Sequence, residues 1–183
     1  KSPIVMRRAA FQYMFDHRGH TFLDAYNNIM LAGHCHPRVV QATTDTLRRL
    51  NTNTRYLYDE LLDYAVSLLQ LFPPELCRVF LVNSGSAATD LALRLSKAHT
   101  GKARVLALEH GYHGNTLACI GVSHYKHKKG ETYPNTVLGP MPKVYGSGLP
   151  DDGTAGAHFA ERFQAALGQN QGEVAAFIAE PIM

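Results

Sequence analysis

The sequence lacks any apolar run near the roughly 20 residues that a membrane-spanning helix requires. Its first residues, Lys1 to Ile4, also lack the apolar core of a secretory signal. We therefore predict a protein without a membrane partner, not secreted, and located in the cytoplasm or mitochondria. Because the chain begins inside a structured pattern, a targeting segment in a longer parent protein stays open.

Positive charge is sparse as well. The formal net charge is +3, and the only basic run is Lys126-His127-Lys128-Lys129. This run has none of the interleaved aromatic residues of a groove for single-stranded nucleic acid. We interpret it as a solvated loop and predict no nucleic-acid partner. With 45% apolar and 18% charged residues, the composition is that of an ordinary globular protein.

Cysteine is rare and shows no paired spacing. Cys35, Cys77 and Cys119 lie far apart, which argues against a disulfide framework and predicts a reducing compartment. The densest group of possible metal ligands is His34-Cys35-His36, followed by Pro37. Its i, i+2 spacing shares a face only in a strand, and Pro37 more naturally starts a helix. We predict no metal, and a metal-binding or structural module at these residues stays an alternative.

The first third of the chain predicts a hairpin and two helices. Two short apolar runs flank a glycine-containing turn between residues 12 and 24, which is a hairpin signal. Apolar side chains at helical spacing follow Pro37, and a second helix is predicted from about Leu61 to Leu69, before Pro73-Pro74. A polar, turn-prone segment containing Arg55 separates these helices.

The remainder alternates strands with helices. Helices are predicted over Ala87 to Leu95, within Tyr112 to Val122, and over Phe159 to Gly168. The apolar face of the first helix consists of Ala87, Ala88, Leu91, Ala92 and Leu95. Strands are predicted at Val79–Val82, Arg104–Leu108, Lys143–Tyr145 and Val174–Ala179, the first and last of them buried. This alternation favours an α/β fold with a mainly parallel sheet. No helix follows the last strand to cover it, so we expect the chain to be part of a longer protein.

Ligands of an open parallel sheet bind beyond the carboxyl ends of its strands. The residues at those ends are 83–86, 109–114 and 180–181. Gly85 lets a ligand approach the backbone, and Ser86 and the amides of Ala87 and Ala88 offer donors at the positive end of a helix, where a phosphate fits. A plain helix cap is the alternative. The turn has neither the lysine of a P-loop nor the glycine spacing of a dinucleotide fold.

The next strand end supplies an aromatic pair, Tyr112 and His113, between Gly111 and Gly114. A planar phosphorylated cofactor would use both features, with its phosphate on the helix and its ring against Tyr112 or His113. An ordinary half-buried tyrosine is the alternative for Tyr112.

Six stretches in this order resemble the class-III aminotransferases, which are pyridoxal-phosphate enzymes of fold type I. They are Tyr13-Met14-Phe15-Asp16 with Gly19, Leu23-Asp24-Ala25-Tyr26-Asn27-Asn28-Ile29, Gly33-His34-Cys35-His36-Pro37, Asn83-Ser84-Gly85-Ser86, Tyr112-His113-Gly114 and Ala179-Glu180-Pro181. The resemblance implies an incomplete fold: an N-terminal segment of the small domain over residues 1–50, and the first part of the large cofactor-binding domain over 51–183.

The resemblance also implies pyridoxal 5'-phosphate (PLP) as the cofactor. The residues matching Gly85 and Ser86 hold its phosphate, the one matching Tyr112 stacks on its ring, and the one matching Glu180 lies near the site; Ser84 and His113 complete the candidate set. The family commonly has Glu where this chain has Ala87 and Asn where it has Thr89. Because backbone amides hold the phosphate, we expect its binding to survive these changes.

Catalysis in the family also needs a lysine that binds the cofactor and an acidic residue against its ring nitrogen, and both lie beyond the position of Met183. We therefore predict that this chain alone is inactive. The parent enzyme is predicted to be a transaminase acting on an amine or amino acid, with a homodimer sharing its active site. A phospho-lyase acting on a phosphorylated amine such as ethanolamine phosphate is an alternative, and Arg55 is a candidate substrate clamp. A non-catalytic cofactor- or phosphate-binding protein is the other alternative.

Overall fold

The structure, a computed structural model, describes residues 3–26 and 31–182. The Asn27-Asn28-Ile29 part of the second family-like stretch lies outside the described residues. The chain divides into two units, Lys1–Leu71 and Phe72–Met183. The assignment of residues 51–71 to the large domain stays a prediction.

In the first unit, three antiparallel strands form a small sheet in the order β1 (Met6–Ala10), β2 (Tyr13–Asp16) and β3 (Thr21–Leu23). The turn between β2 and β3 is organised by the buried carboxylate of Asp16. It accepts hydrogen bonds from the amides of Arg18 (2.8 Å) and His20 (2.9 Å), and it lies 2.9 Å from the His20 ring. The predicted hairpin is confirmed.

Both helices predicted in this unit are also confirmed. Helix α1 (Pro37–Arg49) begins with proline at its first position, where the missing N–H costs no helical hydrogen bond, and ends with Arg48 and Arg49 near the negative end of its dipole. Helix α2 (Asp59–Leu69) begins with two acidic residues in its first turn. No residue of either helix is buried within the described chain.

The second unit contains a three-stranded parallel sheet in the order β5-β4-β6. Its elements are α3 (Gly85–Thr100), β4 (Arg104–Leu108), α4 (Leu117–Val122), β5 (Thr136–Gly139), α5 (Ala155–Gly168) and β6 (Val174–Ile178). The central strand β4 carries the core. Val105 and Ala107 pack with Leu93 of α3 and Val122 of α4, and Ile178 of β6 borders this cluster.

Helix α5 packs through Phe163 against residues of the sheet that lie outside this core cluster. Its ring lies 5.6 Å from that of Phe177, which pairs with Leu106 of β4. A Cβ added to Gly139 would lie 2.3 Å from the Phe163 ring, so the ring packs directly on this glycine. Because neighbouring residues of a strand point to opposite faces, α5 and the α3–α4 pair lie on opposite sides of the sheet.

Two of the predicted strands are wrong. Val79–Val82 carries no strand hydrogen bonds in the described chain, and Phe80 is 62% exposed. Lys143–Tyr145 is a loop and turn, whereas the strand beside β4 is β5, which was not predicted. An apolar run records a preference for burial, but a strand also needs a neighbouring backbone to pair with. Thr136–Gly139 is too short to give a periodic signal.

The burial predicted for α3 and β6 is also wrong. On α3 the buried residue is Leu93, while Ala88, Ala92 and Leu95 of the predicted face are exposed. Apolar side chains occur on more than one side of this helix, so spacing alone could not choose the packed side. Strand β6 is confirmed as a strand but is only half-buried, with Phe177 57% exposed.

None of the helices among residues 3–26 and 31–182 has the length and apolar character needed to cross a membrane.

Candidate cofactor-binding site

The predicted site residues of the second unit lie in three segments beside the parallel sheet. Ser84, Gly85 and Ser86 form the start of α3, Tyr112 and His113 follow β4, and Glu180 follows β6. Since β4 and β6 are parallel neighbours, Tyr112 and Glu180 lie at the same edge of the sheet.

The start of α3 offers unused backbone donors. Ser84 is the N-cap: its hydroxyl accepts a 3.1 Å hydrogen bond from the amide of Ala87, and its carbonyl accepts a 3.0 Å hydrogen bond from the amide of Ala88. The two amides predicted as phosphate donors are therefore already bonded to Ser84. The amides of Gly85 and Ser86 have no helical partner at these first two positions, and within the described chain no hydrogen bond from either is found. No heavy atom would lie within 4 Å of a Cβ added to Gly85. An anion can therefore approach both amides.

Ser86 also joins α3 to the loop that follows Tyr112. Its hydroxyl accepts a 3.1 Å hydrogen bond from the amide of Asn115. Gly114 has a φ of +131°, and a Cβ added there would lie 2.8 Å from Ser86 Oγ and 3.0 Å from Cys119 Sγ. Only glycine lets these segments approach so closely without displacement.

Tyr112 is held by its backbone and leaves much of its ring open. Its amide donates a 2.8 Å hydrogen bond to Glu180 Oε2, and the residue is 42% exposed. The Tyr125 ring packs edge-on against the Tyr112 ring at 6.4 Å. Lys126 Nζ lies 5.3 Å from the centroid of Tyr112, within the range of a cation–π contact.

His113 has a more buried position. Its amide donates a 2.8 Å hydrogen bond to Ser123 Oγ, and its Nε2 is buried with no hydrogen-bond partner found within the described chain. Burial lowers the pKa of His113, and the negative charge of Glu180 partly opposes that change. The neutral ring is therefore favoured.

Two residues that sequence reasoning missed complete this loop. Ser123 is fully buried; it accepts from the His113 amide and donates a 2.6 Å hydrogen bond to the Cys119 carbonyl. His124 Nδ1 accepts a 2.8 Å hydrogen bond from the His110 amide. Neither residue follows a strand, so the strand-end pattern gave no signal for them.

The candidate clamp Arg55 lies outside the second unit. It belongs to the first unit, is exposed, and its amide donates a 2.9 Å hydrogen bond to Asn53 Oδ1.

In the His34-Cys35-His36 cluster, both histidine side chains contact other residues of the first unit. His34 Nε2 lies 2.7 Å from a carboxylate oxygen of Asp24, and the His36 ring packs edge-on against Phe11 at 5.9 Å. Across residues 3–26 and 31–182, no three His, Cys, Asp or Glu side chains are grouped so that they could hold a metal ion.

Comparison with known families accounts for the whole chain. The model of the aminotransferase class-III family matches residues 1–183. This chain belongs to the class-III aminotransferase family. The resemblance seen in the six stretches is thereby confirmed, and the family consists of PLP-dependent, aminotransferase-like enzymes.

This class-III aminotransferase chain is 42% identical over 191 aligned residues to a Drosophila melanogaster protein named alanine–glyoxylate aminotransferase 2-like. The alignment covers 98% of the chain but 38% of the relative. The chain therefore spans well under half the length of this relative.

Two solved structures share the fold. A phospholyase from Arthrobacter in complex with phosphoethanolamine is 32% identical, with a TM-score of 0.86, and the match covers 100% of this chain and 44% of that one. A taurine:2-oxoglutarate aminotransferase from Bifidobacterium kashiwanohense, in complex with PLP and glutamate, has a TM-score of 0.89 over 98% of this chain and 43% of that one. At 22% identity the second shows the fold alone. The predicted fold type I architecture is confirmed, and PLP is the cofactor expected of the family.

Proposed function

We propose that the protein containing this chain binds PLP at the start of α3 and uses it to transfer the amino group of a small amine or amino acid. The observation that carries this proposal is the hydrogen bond between Asn115 and Ser86, which ties the anion-binding end of α3 to the loop that presents Tyr112. A cofactor with a phosphate and a planar ring needs both parts close together.

The residues fit such a cofactor on chemical grounds. The Gly85 and Ser86 amides would receive the phosphate, because the open space at Gly85 and the positive end of the helix dipole favour an anion there. Tyr112 would cover the ring, with Glu180 fixing its backbone. His113, held neutral by burial, would pack beside it without adding charge. When bound, PLP supplies an electron sink for a carbanion formed on the substrate.

Catalysis would need a lysine and an acidic residue that we expect outside these 183 residues. Among the lysines of this chain, Lys128 pairs with Glu131 at 4.0 Å, and Lys143 lies 5.5 Å from the Tyr145 ring centroid. Both residues are exposed, whereas a lysine that forms a Schiff base is typically desolvated. We propose that these residues alone are inactive.

A phospho-lyase is the second candidate. It is favoured by the 32% identity to the Arthrobacter phospholyase, whose structure contains phosphoethanolamine. Arg55 stays a proposed clamp for a substrate phosphate or carboxylate, because its guanidinium can bind such groups through two parallel hydrogen bonds.

The experiment uses protein made from the complete coding sequence and reconstituted with PLP. Phosphoethanolamine is offered alone, and free phosphate is measured; amines and amino acids are offered with keto acids, and amino transfer is measured. Amino transfer without phosphate release supports the transaminase. Phosphate release without an amino acceptor supports the phospho-lyase. Binding of PLP with neither product would contradict both and leave a non-catalytic binding protein.

We further propose a homodimer of the full-length enzyme in the cytoplasm or mitochondria. Sedimentation of the complete protein tests the first point, since a monomer that binds PLP and turns over substrate would contradict an active site shared between subunits. Imaging of the tagged complete protein tests the second.

A further inference from the structure

The loop that carries Tyr112 has a backbone conformation that needs support. His110 has a φ of +66°, a left-handed conformation that residues other than glycine adopt only occasionally. Its amide donates a 2.8 Å hydrogen bond to Nδ1 of His124, whose ring packs edge-on against the His110 ring at 5.4 Å. His124 therefore contacts both the backbone and the side chain of the strained residue.

The residues on either side of His124 hold the same loop. Tyr125 donates its amide to the carbonyl of Gly111 at 3.2 Å, and Ser123 accepts from the amide of His113 at 2.8 Å. Three consecutive residues thus bind three positions around Tyr112. Of these contacts, the one made by His124 is special because its acceptor is a titratable nitrogen.

We propose that His124 is a positioning residue for Tyr112: its neutral ring accepts the His110 amide at Nδ1 and so fixes the loop that presents the Tyr112 ring to the cofactor. This role rests on the proposed function, in which Tyr112 covers the PLP ring.

The role makes the loop sensitive to pH. An imidazole protonated on both nitrogens has no acceptor, so protonation of His124 removes its bond to His110. The groups around His124 are His110, His127 at a ring distance of 5.5 Å, and Glu109. Burial lowers the pKa of His124, as do His110 and His127, and Glu109 opposes them. Because this pKa lies below its ordinary value of 6.5, the loop is fully held above pH 6.5 and is released as the pH falls through the lowered value.

The first test is amide hydrogen exchange of residues 109–114 in the complete protein without PLP, with rates divided by the intrinsic rate at each pH. His124→Leu keeps apolar volume but removes the acceptor. His124→Asn places Oδ1 at the same number of bonds from Cβ as Nδ1 and does not titrate. His158→Leu is the matched control, an exposed histidine of α5.

We expect exchange of the His110 amide to rise about 2- to 10-fold in His124→Leu, the range for loss of one net hydrogen bond. The control should match the wild type, and His124→Asn should retain most of the protection. As the pH is lowered stepwise from about 7.5 to values below 6.5, protection of the wild-type loop should fall while that of the His124→Asn loop stays nearly constant. Unchanged exchange in His124→Leu would overturn the positioning role.

The second test is the affinity of the same apo proteins for PLP by equilibrium dialysis. Above pH 6.5, we expect His124→Leu to bind PLP more weakly than the wild type and the control His158→Leu. As the pH falls, the affinities of the wild type and the control should approach that of His124→Leu, and the ratio of the His124→Asn affinity to the control affinity should rise. Equal affinity of the wild type and His124→Leu above pH 6.5 would also overturn the role. Failure of the wild type to bind PLP at any pH would instead overturn the proposed function.

Discussion

At the scale of single residues, the site depends on how closely two backbone segments approach. Gly114 and Ser86 are near enough that a single methyl group at position 114 would collide with both the serine and Cys119. The loop after Tyr112 and the start of α3 are therefore in direct contact, and this contact links the proposed positions of the cofactor ring and phosphate.

Gly114→Ala tests the contact between Gly114 and Ser86. The added Cβ would lie 2.8 Å from Ser86 Oγ, at a φ of +131° that is strained for alanine, so we expect a loss of unfolding free energy of about 1–3 kcal/mol. PLP affinity should fall with it. Chemical denaturation and equilibrium dialysis of the complete protein measure the two effects.

Gly121→Ala is the matched control, because its φ is not in the left-handed region and an added Cβ meets nothing within 4 Å. In helix α4, alanine should be neutral or slightly stabilising. If Gly114→Ala behaved like Gly121→Ala in both measurements, the close approach of Gly114 to Ser86 would contribute neither to the unfolding free energy nor to PLP affinity.

At the scale of elements, the stability of the hairpin in the first unit depends on pH through the carboxylate in its turn. Burial raises the pKa of Asp16, but hydrogen bonds from the His20 ring and from the amides of His20 and Arg18 outweigh it and lower the pKa to about 2. The ordinary value is 3.8, so the carboxylate stabilises the hairpin above that pH and loses this contribution as the pH falls towards 2.

Asp16→Asn should therefore remove a pH dependence of stability. We expect the complete protein to unfold with a steeper loss of free energy between about pH 4 and pH 2 than the variant does. Asp63→Asn, which removes an exposed carboxylate of α2, is the control for the change in net charge. Parallel pH profiles of the wild type and Asp16→Asn would contradict the assignment.

The elements also show what a sequence can predict. Helices α1, α2 and α3 were found because spacing, prolines and caps act within a few residues. Strand β5 and the segment Val79–Val82, which pairs with no strand among the described residues, were predicted wrongly because pairing depends on a backbone elsewhere in the chain. In the site, Tyr112 and Glu180 follow strands β4 and β6 as the sequence predicted, and a hydrogen bond joins them. Ser84–Ser86 were predicted from the end of a strand at Val79–Val82 that the described residues do not form. His124 acts on a residue 14 positions away through one ring nitrogen, which no local pattern records.

At the scale of the whole molecule, binding of PLP should stabilise the complete apo protein. A ligand at 100 times its Kd contributes about 2.7 kcal/mol, so we expect a concentration-dependent rise in Tm. Pyridoxal, which lacks the phosphate, should give a smaller rise at equal concentration because the amides of Gly85 and Ser86 would have no anion to bind. Equal shifts with the two compounds would argue against a phosphate at the start of α3.

The bond between Tyr112 and Glu180 joins residues 68 positions apart. During synthesis, the loop after β4 is made well before the residue that must accept its amide, and closing so long a segment has an entropic cost that only the later pairing of β6 with β4 can offset. The hydrogen bond of the Tyr112 amide should thus be among the last contacts of this unit to form on the ribosome. A nascent chain that stops short of Glu180 would contain the proposed phosphate-binding turn and the residues 123–125 that contact the Tyr112 loop, but the Tyr112 amide would lack its acceptor.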